Sequence, residues 1–556
     1  MAEQSTISKS SSCRGVSFEI KPSQDGLFNV KPSFNNQPNN SSGRWVWMPW
    51  SHPDPSKVFP FSGALEKSLS RQSSHFCDLN EEEEEEEEEE DDAAEEMVDI
   101  EIQNTENTIP DPIKNTASLR KTVKPKQSRL SVILLDQGLF TVYKRLFAIC
   151  FILNIVALVL AATSHFEYAK KRTALFSIGN ILALTLCRSE ALLRIVFYFS
   201  VKLLGRSWVP LPIKTAATAI LQSVGGVHSG CGVSAVAWLI YALVQTLINS
   251  DQTSPEIIAV ASAILALLCA SCLAAFPLVR HLHHNVFERT HRFAGWMALA
   301  LLWVFIVLTN GYNPANKSYD KLKFSSLIKL QEFWLTITIT FFTILPWVTV
   351  KKVPVKVTAP SGHASLITFT GGIKAGLLGR ISRSPLSEWH AFGIISDNKE
   401  THLMLAGAVG DFTKGLVADP PSHLWVRGVH FAGLPYLVNM YQRVVLVATG
   451  SGICVFLSFL LQSSKAEVCL VWVARGVEEN FGKEIKEMVT ASRNGKVVVH
   501  DTAIMGRPNV AEMTVDAARD WKAEVVVVTS NPEGSRDVVK ACKKAGIAAF
   551  GPIWDS

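Results

Sequence analysis

Val444-Val445-Leu446-Val447-Ala448-Thr449-Gly450-Ser451-Gly452 is a β-branched apolar run that stops at two glycines. The run predicts a buried strand, and Ile453-Cys454-Val455-Phe456-Leu457 begins a helix beyond it. Glycines let a backbone approach a pyrophosphate, and the positive end of a helix favours that charge. Gly450, Ser451 and Gly452 are therefore candidate residues for NAD(P)H, although an ordinary tight strand-to-helix turn has the same pattern. Further apolar runs at 468–473, 497–500 and 525–529 alternate with helical stretches at 477–489 and 535–545. That alternation predicts an α/β parallel-sheet, nucleotide-binding domain over 441–556.

Upstream of this domain the periodicity changes. Val355-Lys356-Val357, Ala364-Ser365-Leu366-Ile367-Thr368 and Ala391-Phe392-Gly393-Ile394-Ile395 predict strands of a small antiparallel β-barrel over 353–440. Within it, Glu388-Trp389-His390-Ala391-Phe392 precedes Gly410-Asp411-Phe412-Thr413 by about twenty residues. Taken alone these are a strand and a turn. A hydroxyl and free amides at the second could hold a flavin phosphate.

Further upstream, six apolar stretches are expected near 146–163, 175–201, 229–248, 256–277, 292–309 and 332–350. Each is about 20 residues, enough for a helix to cross a hydrocarbon core. They predict a six-helix α transmembrane bundle over 140–350. Lys144, Arg145, Lys202, Arg206, Lys214, Arg280, Arg289, Arg292, Lys351 and Lys352 share one side, which makes that side cytosolic. Lys170, Lys171 and Arg172 fall on the other side and depart from the rule.

His228 and His291 each stand at the first turn of a span on the cytosolic side. Ionisable groups inside a membrane bundle are costly and usually functional. Two imidazoles facing one another would be the metal ligands of a bis-histidine haem. Alternatively, one or both sit hydrogen-bonded in the interfacial water. His281, His283 and His284 read as interfacial basic residues, and Cys269-x-x-Cys272 as small helix-packing residues. The ten cysteines show no disulfide framework and no zinc spacing outside a span.

Residues 1–135 are rich in Ser, Asn, Pro and Glu, with an unbroken acidic run from Glu81 to Asp92. This composition predicts a disordered acidic cytosolic tail. Trp45-Val46-Trp47-Met48-Pro49-Trp50 could be a docking motif or a sticky linker, and Arg71 three residues before Ser74 makes a plausible kinase site. Net charge is only +4, and basic residues flanking the spans account for the rest of the chain's positive charge without nucleic acid.

The order of spans, flavin-type barrel and nucleotide domain resembles the ferric reductase and NADPH oxidase superfamily. Arg289-Thr290-His291-Arg292 resembles the stretch introducing that family's fifth helix. Trp389-His390-Ala391-Phe392-Gly393 resembles its flavin motif His-Pro-Phe-Thr, and Gly410-Asp411-Phe412-Thr413 its Gly-x-x-Thr. Trp425-Val426-Arg427-Gly428 resembles the strand before its glycine turn, and Gly450-Ser451-Gly452 its nicotinamide loop. The resemblance covers about 145 to 556 and is nearest a divergent, TmpA-like branch with fungal and plant members that are regarded as regulatory.

It implies FAD at His390, Phe392, Gly410, Thr413 and Gly428, with Trp554 stacking on the flavin or plugging the barrel. NAD(P)H would lie at Gly450, Ser451 and Gly452, and one haem between His228 and His291. That family's second haem histidine follows the first by 13 or 14 residues; here those positions are Tyr241 and Ala242, and Val304 and Phe305. Thirteen residues are about 20 Å of helix, so the missing pair is the outer one. Ala391 and Gly393 replace Pro and Thr, Val455 replaces a Pro, and Ser530-Asn531-Pro532 replaces a Cys-Gly-Pro.

The expected activity is a membrane flavoprotein oxidoreductase that passes electrons from NAD(P)H through FAD to the inner haem or a small-molecule acceptor. The alternative is a non-catalytic regulatory protein on the same scaffold. Implied partners are the lipid bilayer and a protein or kinase reached through the tail. The expected location is the plasma membrane, or an endomembrane, with both termini cytosolic.

Overall fold

In the computed structural model, residues 141–553 are described, apart from 277–278, 281–283, 321–323 and 491–494. The expected disordered tail and Trp554 lie outside the described residues.

The first part is helical: α1 (Val142–Ala162), α2 (Thr173–Leu186), α3 (Glu190–Leu204), α4 (Leu211–Gln222), α5 (Gly225–Ile248), α6 (Pro255–Ala274), α7 (His284–Gly311) and α8 (Gln331–Val348). Thr141 caps α1 and Ser254 caps α6, each through its side-chain oxygen. Helices α1 and α5 approach closely because Gly226 and Gly230 face Tyr143, Phe147 and Cys150, where a Cβ would collide. A buried polar cluster locks the same region. Asn154 accepts from Asn180 at 2.8 Å and from Trp238 Nε1 at 2.9 Å, and Ser177 donates to the Ala235 carbonyl at 2.8 Å.

The six-span expectation is corrected here. Among the described residues, four helices are long and apolar enough to cross a membrane: Val142–Ala162, Gly225–Ile248, Pro255–Ala274 and Val286–Gly311. The expected span 175–201 is two helices, α2 and α3, broken at Cys187-Arg188-Ser189, where the Ser189 side chain caps α3. The sixth stretch forms α8, which opens on Gln331-Glu332, carries four threonines and contains Pro346, so it falls outside that set.

The β-barrel expectation is corrected as well. The antiparallel strands are β1 (Val350–Pro354), β2 (Lys356–Ser361), β3 (Ala364–Thr370), β4 (Leu377–Ser382), β5 (His390–Gly393), β6 (Ile395–Ser396), β7 (Thr401–Gly407), β8 (His423–Arg427) and β9 (Phe431–Ala432). They make two sheets rather than one closed ring. One runs β9-β4-β8-β1 with β5 added on β4, and the other runs β2-β3-β7-β6. The chain changes sheet at Val355 and again at Ile394, a single residue between strands. Such corners let two sheets share one core without closing. Ile367, Ile381, Phe392, Ile394, Met404 and Leu416 fill that core. Helix α9 (Asp411–Ala418) covers one end.

The parallel sheet follows the expected alternation. Its strands are β10 (Arg443–Thr449), β11 (Glu467–Ala474), β12 (Lys496–Asp501), β13 (Val525–Thr529) and β14 (Ala549–Phe550), in the order β12-β11-β10-β13-β14. Helices α10 (Val477–Thr490), α11 (Val510–Asp520) and α12 (Pro532–Lys544) intervene. Residues 444–448 of β10 are all completely buried, as expected for a strand covered on both faces. Each buried Val or Leu side chain there contributes about 1.5–3 kcal/mol of transfer free energy.

The antiparallel and parallel parts share a core. Leu366, Leu377, Ile395 and Leu405 pack in one cluster with Leu446, Phe456 and Leu470. Ser458 Oγ donates to the Ile394 carbonyl at 2.6 Å and accepts from Ser396 N at 2.9 Å. The antiparallel and parallel parts therefore form one continuous body.

Candidate functional site

The glycine turn leaves β10, the central strand of the parallel sheet. Gly450 has φ of 52°, a left-handed conformation that a Cβ disfavours. Trp472 Nε1 on the neighbouring strand donates to the Gly450 carbonyl at 2.9 Å, which pins the turn. Ser451 and Gly452 are buried within the 3-10 segment Gly450–Val455.

The same segment touches the antiparallel part. A Cβ on Gly393 would lie 2.7 Å from Val455 N and 2.8 Å from the Cys454 carbonyl carbon. Glycine where the resembled motif has Thr thus permits direct contact between β5 and the glycine turn. Burial pushes the Cys454 thiol up to about 12, so it is an inert core thiol there.

His390 opens β5 and is buried, and its ring stacks on Phe412 at 4.1 Å and 17°. Phe392 is buried in the core between the two sheets. Gly410 precedes α9, and no atom lies within 4 Å of the position its Cβ would take. The Thr413 hydroxyl is engaged by its own turn. It accepts from Val409 N at 3.1 Å and Gly410 N at 3.0 Å, and donates to the Gly410 carbonyl at 3.0 Å. Gly428 N donates to the Thr349 carbonyl at 2.9 Å, which joins the end of β8 to the residue after α8.

The two histidines come together. His228 on α5 and His291 on α7 have ring centroids 6.2 Å apart and ring planes at 55°. His228 Nδ1 donates to the Leu184 carbonyl at 3.0 Å, and His291 Nδ1 to the Ser271 carbonyl at 3.3 Å. A carbonyl can only accept, so each ring carries its proton on Nδ1 and presents Nε2 as a lone pair. That is the metal-binding tautomer, with its orientation set by a backbone acceptor. Among the described residues no group of three or more His, Cys, Asp or Glu is placed to hold a metal ion.

Both rings line a cavity of about 670 Å³ whose walls include Leu302 and Phe305, with Lys144 and Arg280 also lining it. That volume lies within the range of small-molecule and cofactor sites. The histidine end is tied to the antiparallel sheets. Arg289 donates to Glu388 at 2.9 Å, and Arg292 to the Leu386 and Ser387 carbonyls at 3.3 Å, just before His390.

A second tie was not legible in the sequence. Glu190 at the start of α3 accepts from Arg380 of β4, and from Arg427 of β8 at 3.1 Å. The Arg427 guanidinium also lies over the Trp389 ring at 5.0 Å. Burial draws the Arg427 pKa below its ordinary value, and Glu190 opposes that shift. The partners are roughly 190 and 237 residues apart, and no local spacing announces them.

A family model described as Adenylate-forming reductase 03009, C-terminal domain, matches residues 434–556. Adenylate-forming reductase 03009 of Coprinopsis cinerea is 35% identical over 428 residues, covering 76% of this chain and 41% of that protein. Adenylate-forming reductase 06235 of the same fungus is 34% identical over 429 residues, with the same shares of 76% and 41%. The chain thus spans about two fifths of the length of the curated relatives it matches.

Among solved structures, a ferredoxin-NADP+ reductase from Plasmodium falciparum with 2'P-AMP is similar at 13% identity. Its TM-score is 0.29, and the match covers 36% of this chain and 94% of that one. Phthalate dioxygenase reductase is similar at 11% identity and a TM-score of 0.29, covering 37% of this chain and 69% of that one. The sequence matches are thus to adenylate-forming reductases. They overturn the resemblance to the ferric reductase and NADPH oxidase superfamily, whose motifs this chain carries only in altered form.

Proposed function

We propose that the chain is an NAD(P)H-dependent, flavin-assisted reductase anchored in a membrane, with a single haem between His228 and His291 as the internal electron acceptor. The observation that carries this reading is the contact of the glycine turn with β5 through Gly393, on a body that Arg289 and Arg292 tie to the helix carrying His291. The reductase names of the curated relatives support it.

The residues present fit these groups unevenly. Gly450 and the amides of Ser451 and Gly452 suit a pyrophosphate. For a flavin, the fit is through the open space beside Gly410 and the stacked His390 and Phe412, because Phe392 and the Thr413 hydroxyl are committed to the fold. A flavin supplies the conversion of a hydride into single electrons. The chain's own part is positional. Gly393 lets the two parts touch, Trp472 holds the turn, and Arg289 and Arg292 fix the bundle against the segment before His390. The reductase body would face the cytosol, where NAD(P)H is available, and the plasma membrane is the proposed location. A small oxidant would be the final acceptor.

The second reading is a non-catalytic regulator. It is favoured by the same Thr413 hydroxyl and Phe392 ring, both already used by the fold. Purified full-length protein in mild detergent separates the two. The reductase reading expects flavin fluorescence in the supernatant of denatured protein and a reduced haem band that appears on adding NADPH or NADH. His228→Ala and His291→Ala should each abolish that band and leave the flavin. Folded protein without either chromophore would leave the regulator as the surviving reading.

A further inference from the structure

Helices α3 and α4 leave one apolar face without a partner. On α3, Leu193, Phe197, Val201 and Leu204 recur every three or four residues and pack on the reductase core, with Phe197 only 3% exposed. On α4, Thr218 Oγ1 hydrogen-bonds the Tyr441 hydroxyl at 2.7 Å. Arg194 donates to the His430 carbonyl at 3.1 Å. One side of the pair is therefore clamped to the reductase body.

The opposite side is also apolar. Ile195, Phe199 and Leu203 lie at four-residue intervals and are each more than half exposed, and Trp208 beyond them is 73% exposed. Lys202 and Arg206 are exposed on the same stretch, and Lys202 lies over the Tyr198 ring at 5.9 Å. A surface helix normally shows a single apolar stripe, and a contiguous exposed patch marks an interaction surface. At 15 residues, α3 is about 22 Å long, too short for a hydrocarbon core of about 30 Å.

We infer that α3 and α4 lie in the plane of the bilayer surface, sandwiched between the reductase body and lipid. Their outer apolar face enters the headgroup–acyl boundary, and Lys202 and Arg206 meet anionic headgroups. This rests on reading the four long helices as membrane spans. Three features select lipid as the occupant. The pair runs directly into α5, one of the four membrane-length helices. Tyr198 and Trp208 are amphipathic rings of the kind that concentrate at membrane interfaces. Exposed bases beside an apolar helix face are the pattern of an interfacial helix.

The test uses full-length protein in vesicles of phosphatidylcholine with and without phosphatidylserine. The photo-crosslinking residue p-benzoylphenylalanine is placed singly at Phe199, at Ile195, at Phe197, and at Ile152 on the lipid-facing side of α1. Lipid-mass adducts are expected at 199, 195 and 152 and not at 197. The variants Lys202→Glu and Arg206→Glu combined should lose any excess of phosphatidylserine adduct over phosphatidylcholine. Adducts at 152 without any at 199 or 195 would overturn the inference, as would crosslinks from 199 to a second copy of the chain. A phosphatidylserine excess that survives the double charge reversal would overturn the headgroup contact. No lipid adduct at 152 would instead remove the membrane reading on which the inference stands.

Discussion

Gly450 shows how one atom decides a site. A Cβ at its φ of 52° costs about 1–2 kcal/mol, at the turn proposed to hold a pyrophosphate. Gly450→Ala should weaken nucleotide binding by about tenfold or more, equivalent to at least roughly 1.4 kcal/mol; titration calorimetry with NADPH and NADH reads it. His430 offers a test of protonation. Burial, aided by the charges of His402 and Arg194, lowers its pKa from 6.5 to about 4. The unfolded chain takes up a proton near pH 6.5 that the folded form refuses until about pH 4. Stability from this group is therefore full above about pH 6.5 and is lost as pH falls toward 4, by up to roughly 3 kcal/mol. Thermal unfolding of the wild type and of His430→Gln at pH 7 and pH 5 should show a smaller acid loss in the variant.

The helix α3 carries the main departure from periodicity. Its apolar residues continue those of α2, and a 20-residue window sees one span where the chain makes two helices. What ends the first helix is the Cys187-Arg188-Ser189 break. What turns the second toward the antiparallel sheets is Glu190, held between Arg380 and Arg427. Glu190→Gln leaves two partly buried guanidinium groups without their carboxylate. Breaking a buried pair costs about 3–5 kcal/mol; because Arg380 is about one third exposed, roughly 2 kcal/mol is expected after solvent screening. Denaturant unfolding in detergent measures it, and an unchanged midpoint would mean that the clamp contributes nothing.

At the scale of the molecule, function depends on contacts between parts that are far apart in sequence. One of them is Gly393 against Cys454 and Val455, where a Cβ would not fit. Gly393→Ala forces β5 and the glycine turn apart by a fraction of an ångström. A misplacement of this size can cost up to about 100-fold in rate. Stopped-flow reduction of the bound flavin by NADPH should slow by about tenfold or more, with flavin content unchanged. Equal rates in variant and wild type would show that this contact does not set the geometry of transfer.

Local order along the chain specified the parallel-sheet domain, its glycine turn, the antiparallel strands and the strongly apolar helices. Each of these depends on a residue's neighbours within a few positions, through period 2, period 3.6 and the conformational freedom of glycine. It also singled out His228 and His291. Tertiary structure alone decided that the stretch 175–201 breaks into two helices, leaving four of membrane length and polarity among the described residues, and that the antiparallel strands split into two sheets. It set the Nδ1 protons of the two histidines through the Leu184 and Ser271 carbonyls, 44 and 20 residues away. It also gave the Thr413 hydroxyl to its own turn and Phe392 to the core. Those outcomes depend on which group lies within about 3 Å after packing, a distance that periodicity does not encode.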